Sequence, residues 1–243
     1  IYTVCILIEK SVSKVVLKID GENINATKID NTVSGTFWRA EYQLSITSDN
    51  KFVDYSIEAD GVLSNDKNNR TKWRFYVPGT NESPKFAYAS CNGFSKEGLK
   101  LCTSDPYYLW CEMARQNEAS PFSLLLMGGD QVYADSIWGE SRKLSEWSNL
   151  SRKEKIKRKV SKDMELQIDR FYDRLYQDRW SNLSMSLMLA SIPSVMMWDD
   201  HDIFDGWGSY PKDIQDCDVY QCIFKYAKKY FELYQIRSKR NRN

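Results

Sequence analysis

At 243 residues the chain is long enough for one large domain or two smaller ones, and 42% hydrophobic with 28% charged residues excludes a disordered protein. With 34 basic against 33 acidic residues the formal net charge is +1, so no whole-chain field directs it to nucleic acid or to acidic membranes. No apolar run approaches the roughly 20 residues that a bilayer crossing needs. The 6 cysteines are scattered, with no CxxC pair and no zinc-like spacing, which favours mostly buried thiols and a reducing, cytoplasmic setting. The sequence opens on Ile1 in strand-like residues, so an upstream piece is expected, and an export signal within it stays open.

Residues 1–77 read as short strands at Ile1–Ile8, Lys14–Ile19, Gly35–Ile46, Phe52–Ala59 and Thr71–Val77, rich in β-branched and aromatic residues. Turn-forming clusters such as Asp20-Gly21-Glu22-Asn23 separate them, and the spacing predicts a small all-β, Ig-like sandwich over residues 1–80. Nothing in this stretch has catalytic character. Pro78-Gly79-Thr80-Asn81-Glu82-Ser83-Pro84 is the clearest linker, and the domain boundary is placed in it.

From residue 85 to 243 the rhythm becomes strand–helix alternation, the pattern of an α/β domain. Lys85–Ser90 is a short strand running into Cys91-Asn92-Gly93, and Ser104 or Asp105 can cap a helix that opens at Pro106. Phe122–Met127 is an apolar strand ending at Gly128-Gly129-Asp130. Ile156, Val160, Met164, Ile168, Phe171 and Leu175 then fall on one helical stripe. The basic run Arg152–Lys159 has acidic neighbours and reads as a solvated helix face rather than a nucleic-acid patch. The strand Ile192–Trp198 follows. A last helix from about Asp213 to Ile236 buries Val219, Ile223, Ala227, Tyr230 and Tyr234.

Three of these strands end in polar groups: Cys91-Asn92, Gly129-Asp130-Gln131-Val132-Tyr133-Ala134-Asp135, and Asp199-Asp200-His201-Asp202, which holds the chain's only histidine. Parallel strands with helical crossovers bring all three ends to one sheet edge, where α/β folds gather their ligands. Thiol, phenol and carboxylates together form a set of mostly hard donors, suited to iron and calcium rather than structural zinc. Either Gly-Gly-Asp or Ser-Cys-Asn alone is ordinary turn material; the combination is specific.

Ala89-Ser90-Cys91, the Gly129–Asp135 block and Met197-Trp198-Asp199-Asp200-His201-Asp202 together resemble the signature blocks of PhoD-like alkaline phosphatases, within the calcineurin-like metallophosphoesterase superfamily. Ile203–Pro211 is similar to a branch of that family, and the β-rich lead-in resembles the small domain that precedes the phosphatase domain there. The resemblance implies hydrolysis of phosphate esters at a centre of ferric iron with calcium or another divalent cation. It implies Cys91 and Tyr133 as iron ligands, Asp130 as the bridge and Asp200 as ligand of the second metal. His201 is then the acid that protonates the leaving oxygen, with Asp202 orienting it. No role follows for Asp199 or Asp205.

The matched blocks cover only the first part of the family pattern, whose further ligands typically include histidine, so residues 85–243 are expected to be the first part of a longer phosphatase domain. Activity of these residues alone stays open. So do two other readings: a thiol hydrolase using Cys91 and His201, and a non-catalytic β-sandwich binding module joined to a decayed half-domain. The expected partner is a phosphate ester, with no dedicated nucleic acid and no membrane segment; a partner chain is not indicated.

Overall fold

The computed structural model describes residues 1–45, 47–94 and 96–238. Eight strands come first: β1 (Tyr2–Ile8), β2 (Val15–Ile19), β3 (Glu22–Asn25), β4 (Thr27–Asn31), β5 (Thr36–Tyr42), β6 (Lys51–Ala59), β7 (Val62–Leu63) and β8 (Lys72–Val77). They form two antiparallel sheets, one ordered β1-β5-β4 and the other β3-β2-β6-β7, with β8 also pairing β6. Alternation explains how the sheets meet. Leu17, Val53, Tyr55 and Phe75 of one sheet and Trp38, Ala40 and Tyr42 of the other point inward and share a core. The expected strands are all present, but β3, β4 and β7 are additional; β3 and β4 are short and mostly polar, and β7 is only two exposed residues long. The strand expected to reach Ile46 ends at Tyr42, and Ile46 itself lies outside the described residues.

Next come β9 (Phe86–Ala89), α1 (Glu97–Leu101), α2 (Tyr108–Ala119), β10 (Leu124–Gly128), α3 (Ile137–Glu140) and α4 (Arg142–Ser148). They are followed by α5 (Arg152–Lys157), α6 (Lys162–Trp180), α7 (Leu183–Ser191) and β11 (Ser194–Met197). A 3₁₀ turn at Asp200–Asp202 precedes α8 (Lys212–Gln215), α9 (Asp218–Phe231) and a π-turn at Glu232–Ile236. β9, β10 and β11 make a parallel sheet with β10 in the centre. Met127 lies opposite Ala89 and Gly128 opposite Met197, so the segments after all three strands leave from one edge.

α2 and α7 cover one face of this sheet, burying Trp110, Met185 and Met188 against Leu125 and Met127. α6 and α9 build a second core in which Tyr172, Tyr176, Tyr230 and Tyr234 stack. The β layers join it through Phe37, whose ring meets Tyr234 edge-on at 4.7 Å.

Two helix expectations change. The single stripe from Ile156 to Leu175 is two helices, because Ser161 accepts a hydrogen bond from the Met164 N–H at 3.2 Å and so starts a new helix. The last helix is broken between Gln215 and Asp218, although its expected buried side, Val219 through Tyr234, is buried as read. At the α2 start, Asp105 Oδ1 accepts from the Tyr107 N–H at 2.8 Å.

Candidate metal centre

The loop after β10 turns through Gly129 (φ +117) and Asp130 (φ +53). A side chain at Gly129 would place Cβ 3.1 Å from Asp199 Cβ, so glycine lets the two loops approach. Cys91, after β9, is also left-handed at φ +52, a strained conformation for cysteine. It is held by backbone bonds that extend the sheet: Cys91 N–H donates to Gly129 O at 3.1 Å, and Asn92 N–H to Asp130 O at 2.7 Å.

These turns bring the polar groups together. Asp130, Asp200 and His201 each offer one ligand atom, all within 4.8 Å of one another. Asp130 is 7% exposed, and its Oδ1 is buried without a hydrogen-bond partner. Its Oδ2 accepts from the Cys91 thiol at 3.6 Å. Burial raises the Asp130 carboxyl; the Asp199 and Asp200 charges add to the rise, while His201 and the Cys91 thiol oppose it. A buried carboxylate oxygen with no hydrogen-bond donor suits a cation, and on that ground the donor set fits a metal ion.

Tyr133 stacks on His201 at 4.5 Å between ring centroids and packs so closely on Gly93 that a Cβ there would lie 2.3 Å from its ring. Burial, then the charges of Asp130 and Cys91, raise its phenol pKa, a penalty that a bound cation would reverse. Asp200 Oδ2 accepts from the Gly206 N–H at 2.6 Å. The exposed Asp199 caps the 3₁₀ turn, its Oδ1 accepting from the Asp200 N–H at 2.9 Å.

His201 is oriented by Asp135, not by Asp202. Its Nδ1 lies 2.8 Å from Asp135 Oδ2, while Asp135 Oδ1 accepts from the Asp205 N–H at 2.8 Å. Burial works to lower the imidazole pKa, but the hydrogen bond and charge of Asp135, with Asp200 and Asp130, outweigh it and the net shift is upward. The Asp205 carboxylate stands 3.9 Å from Nε2.

The Asp202 expectation is thereby corrected. Asp202 is 1% exposed and accepts from the N–H groups of Gln131, Val132 and Asp199 and from Gln235 Nε2. Its side chain turns inward because it closes the capping box of the 3₁₀ turn, which sequence distance to His201 does not reveal. Burial pushes its carboxyl up to about 6 against those four donors. Asp135 lay inside the quoted block but carried no signal of its own beyond being an acid near the motif. Gln235 had none. The Cys91 thiol meets Asp130 Oδ2 and His201 Nδ1 meets Asp135 Oδ2, and among the described residues no hydrogen bond joins Cys91 to His201.

Residues 63–241 match the family described as PhoD related phosphatase. The chain is 28% identical over 217 residues to the uncharacterized protein YGR266W of Saccharomyces cerevisiae, covering 82% of this chain and 29% of that one. The solved structure of PhoD superposes with a TM-score of 0.53 at 16% identity, covering 93% of this chain and 40% of PhoD. A purple acid phosphatase from yellow lupin (Lupinus luteus) seeds gives a TM-score of 0.47 at 9% identity, over 92% of this chain and 37% of its own. The PhoD likeness shows a metallophosphatase fold. The chain spans less than half the length of each of these proteins. No helix among the described residues is long and apolar enough to cross a membrane.

Proposed function

The chain belongs to the PhoD-related phosphatase family, and on that footing we propose that it hydrolyses phosphate esters at a metal centre on the open edge of its parallel sheet. The observation that carries this reading is the convergence of Asp130, Asp200 and His201 within 4.8 Å around a buried, unpartnered Asp130 oxygen. Cys91 and Tyr133 would hold ferric iron, Asp130 would bridge, and Asp200 would hold calcium or another divalent cation. When bound, the metals supply positive charge for the phosphoryl oxygens and make a water more acidic.

The chain's own groups do the rest. Asp135 engages His201 Nδ1, which leaves Nε2 to deliver a proton to the leaving oxygen. The hydrogen bond and charge of Asp135 favour the protonated imidazole in the metal-free chain. Residues 1–80 form an Ig-like sandwich that packs against residues 85–243, the phosphatase part; an apolar core built mainly from β2, β5, β6 and β8 supports that division. Phe37 and Leu7 key the one onto the other.

His201→Asn in the full-length protein tests the chemistry. Esters with poor alkoxide leaving groups should slow by about 10²–10⁴-fold, and esters whose leaving group is already a stable anion far less. Equal loss across leaving groups, with metal content unchanged, would remove His201 from the acid role.

A further inference from the structure

The Asp202 carboxylate is the point where the two loops of the candidate centre meet the π-turn at Glu232–Ile236. Three of its four donors are backbone N–H groups that flank candidate ligands. Gln131 follows Asp130 (3.1 Å), Val132 precedes Tyr133 (3.1 Å), and Asp199 precedes Asp200 (3.0 Å). Any shift of this carboxylate therefore moves the Asp130 loop and the Asp200 loop relative to each other.

The fourth donor lies 33 residues further along the chain: Gln235 Nε2 donates to Asp202 Oδ1 at 2.9 Å. The same nitrogen donates to Tyr176 Oη at 2.9 Å, which fixes it from the α6 side. Gln235 is 1% exposed and sits in the π-turn at Glu232–Ile236, a widened turn of a kind that often accompanies functional sites. Its Oε1 is buried without a partner. Turning the carboxamide over would set that oxygen against the Asp202 carboxylate, so the fold keeps Nε2 in place at the expense of an orphaned acceptor. The turn is anchored on both sides: Tyr234 packs on Phe37 and Tyr176, and the Arg237 guanidinium donates to Ser194 Oγ at 2.9 Å at the start of β11.

We propose that Gln235 is a positioning residue for the metal centre, acting through Asp202 to set the spacing of Asp130 and Asp200 and hence the affinity for cations. This rests on the metal-centre reading above. It extends that reading to a residue that touches neither cation nor substrate.

The test is Mn²⁺ binding to chelator-treated full-length protein, followed by the electron paramagnetic resonance of free Mn²⁺, together with amide hydrogen exchange of the metal-free chain. Gln235→Met keeps the side-chain length and removes both donated hydrogen bonds. Its Mn²⁺ affinity should fall by about 10–100-fold, as outer-shell losses do, with faster exchange at the Gln131, Val132 and Asp199 amides. Tyr176→Phe removes only the acceptor that steadies the carboxamide, so it should move both readouts less, in the same direction. It decides the matter if Gln235→Met does not fold. A purely structural role would lower the melting temperature and leave the affinity of the folded molecules unchanged. Affinities within about twofold of wild type in the folded variants would overturn the proposal, since an outer-shell partner costs more than that. Wild-type protein that takes up no Mn²⁺ would overturn the metal-centre reading and this proposal with it. Wild type that binds, with variants that bind equally, would overturn this proposal alone.

Discussion

His201 is the only histidine in the chain, and its environment makes a single side chain carry an unusual amount of charge logic. Desolvation disfavours the imidazolium, whereas the 2.8 Å contact with Asp135 favours it, and the carboxylates win. Removing Asp135 removes the first opposing contribution. In chelator-treated protein, the His201 Hε1 resonance, assigned as the one lost in His201→Asn, should titrate above the usual imidazole value. Asp135→Asn should move that midpoint down, because the imidazolium loses its paired anion while its burial remains. The sign follows directly: at a pH between the two midpoints, wild type keeps the proton and the variant has lost it. A midpoint that does not move would return Asp135 to a purely backbone role at the Asp205 N–H. The residue scale is also where sequence reasoning erred. The resemblance implied that Asp202 orients His201, whereas in the 3₁₀ turn its carboxylate accepts from the Gln131, Val132 and Asp199 N–H groups and His201 Nδ1 meets Asp135.

At the scale of elements, strand existence was legible and helix boundaries were not. β9, β10 and β11 announced themselves as apolar runs ending in polar turns, and the shared edge followed from parallel pairing. The short strands β3, β4 and β7 had no pattern to read, since pairing with a neighbour rather than core burial forms them. The apolar period from Ile156 to Leu175 persisted across a helix break that a capping serine marks, and Ser161 was not read as a cap. Helix α7 was missed because its residues, Leu183–Ser191, are apolar nearly all round and show no face. The cap is itself testable. Ser161→Ala should destabilise the protein by about 1 kcal/mol in urea unfolding, the ordinary worth of an N-cap, because α6 buries Met164, Ile168 and Phe171 directly behind it. The same change at Ser151 should cost less, as α5 buries none of its residues. Equal losses at the two sites would show that the break between α5 and α6 does not depend on its cap.

At the scale of the whole molecule, the three parallel strands supply one edge, and the helical core behind them holds its loops in place. Tyr172 illustrates this: from α6 its hydroxyl donates to the Ile203 carbonyl at 2.6 Å, just beyond the 3₁₀ turn. The β layers reach the same core through Phe37, so strain at either end is shared. The candidate ligand motifs were readable because metal chemistry restricts residue types, whereas the neighbouring side chains Asp135, Tyr176 and Gln235 carry no such signature and could be found only in three dimensions. The most direct measurement is elemental analysis of active, purified full-length protein, paired with its hydrolysis of a chromogenic phosphate ester before and after chelation. Iron together with a divalent cation should be found, and hydrolysis should vanish on chelation and return with added metal. Hydrolysis that survives complete removal of metal, or active protein that never contained any, would contradict a metal-dependent phosphoesterase.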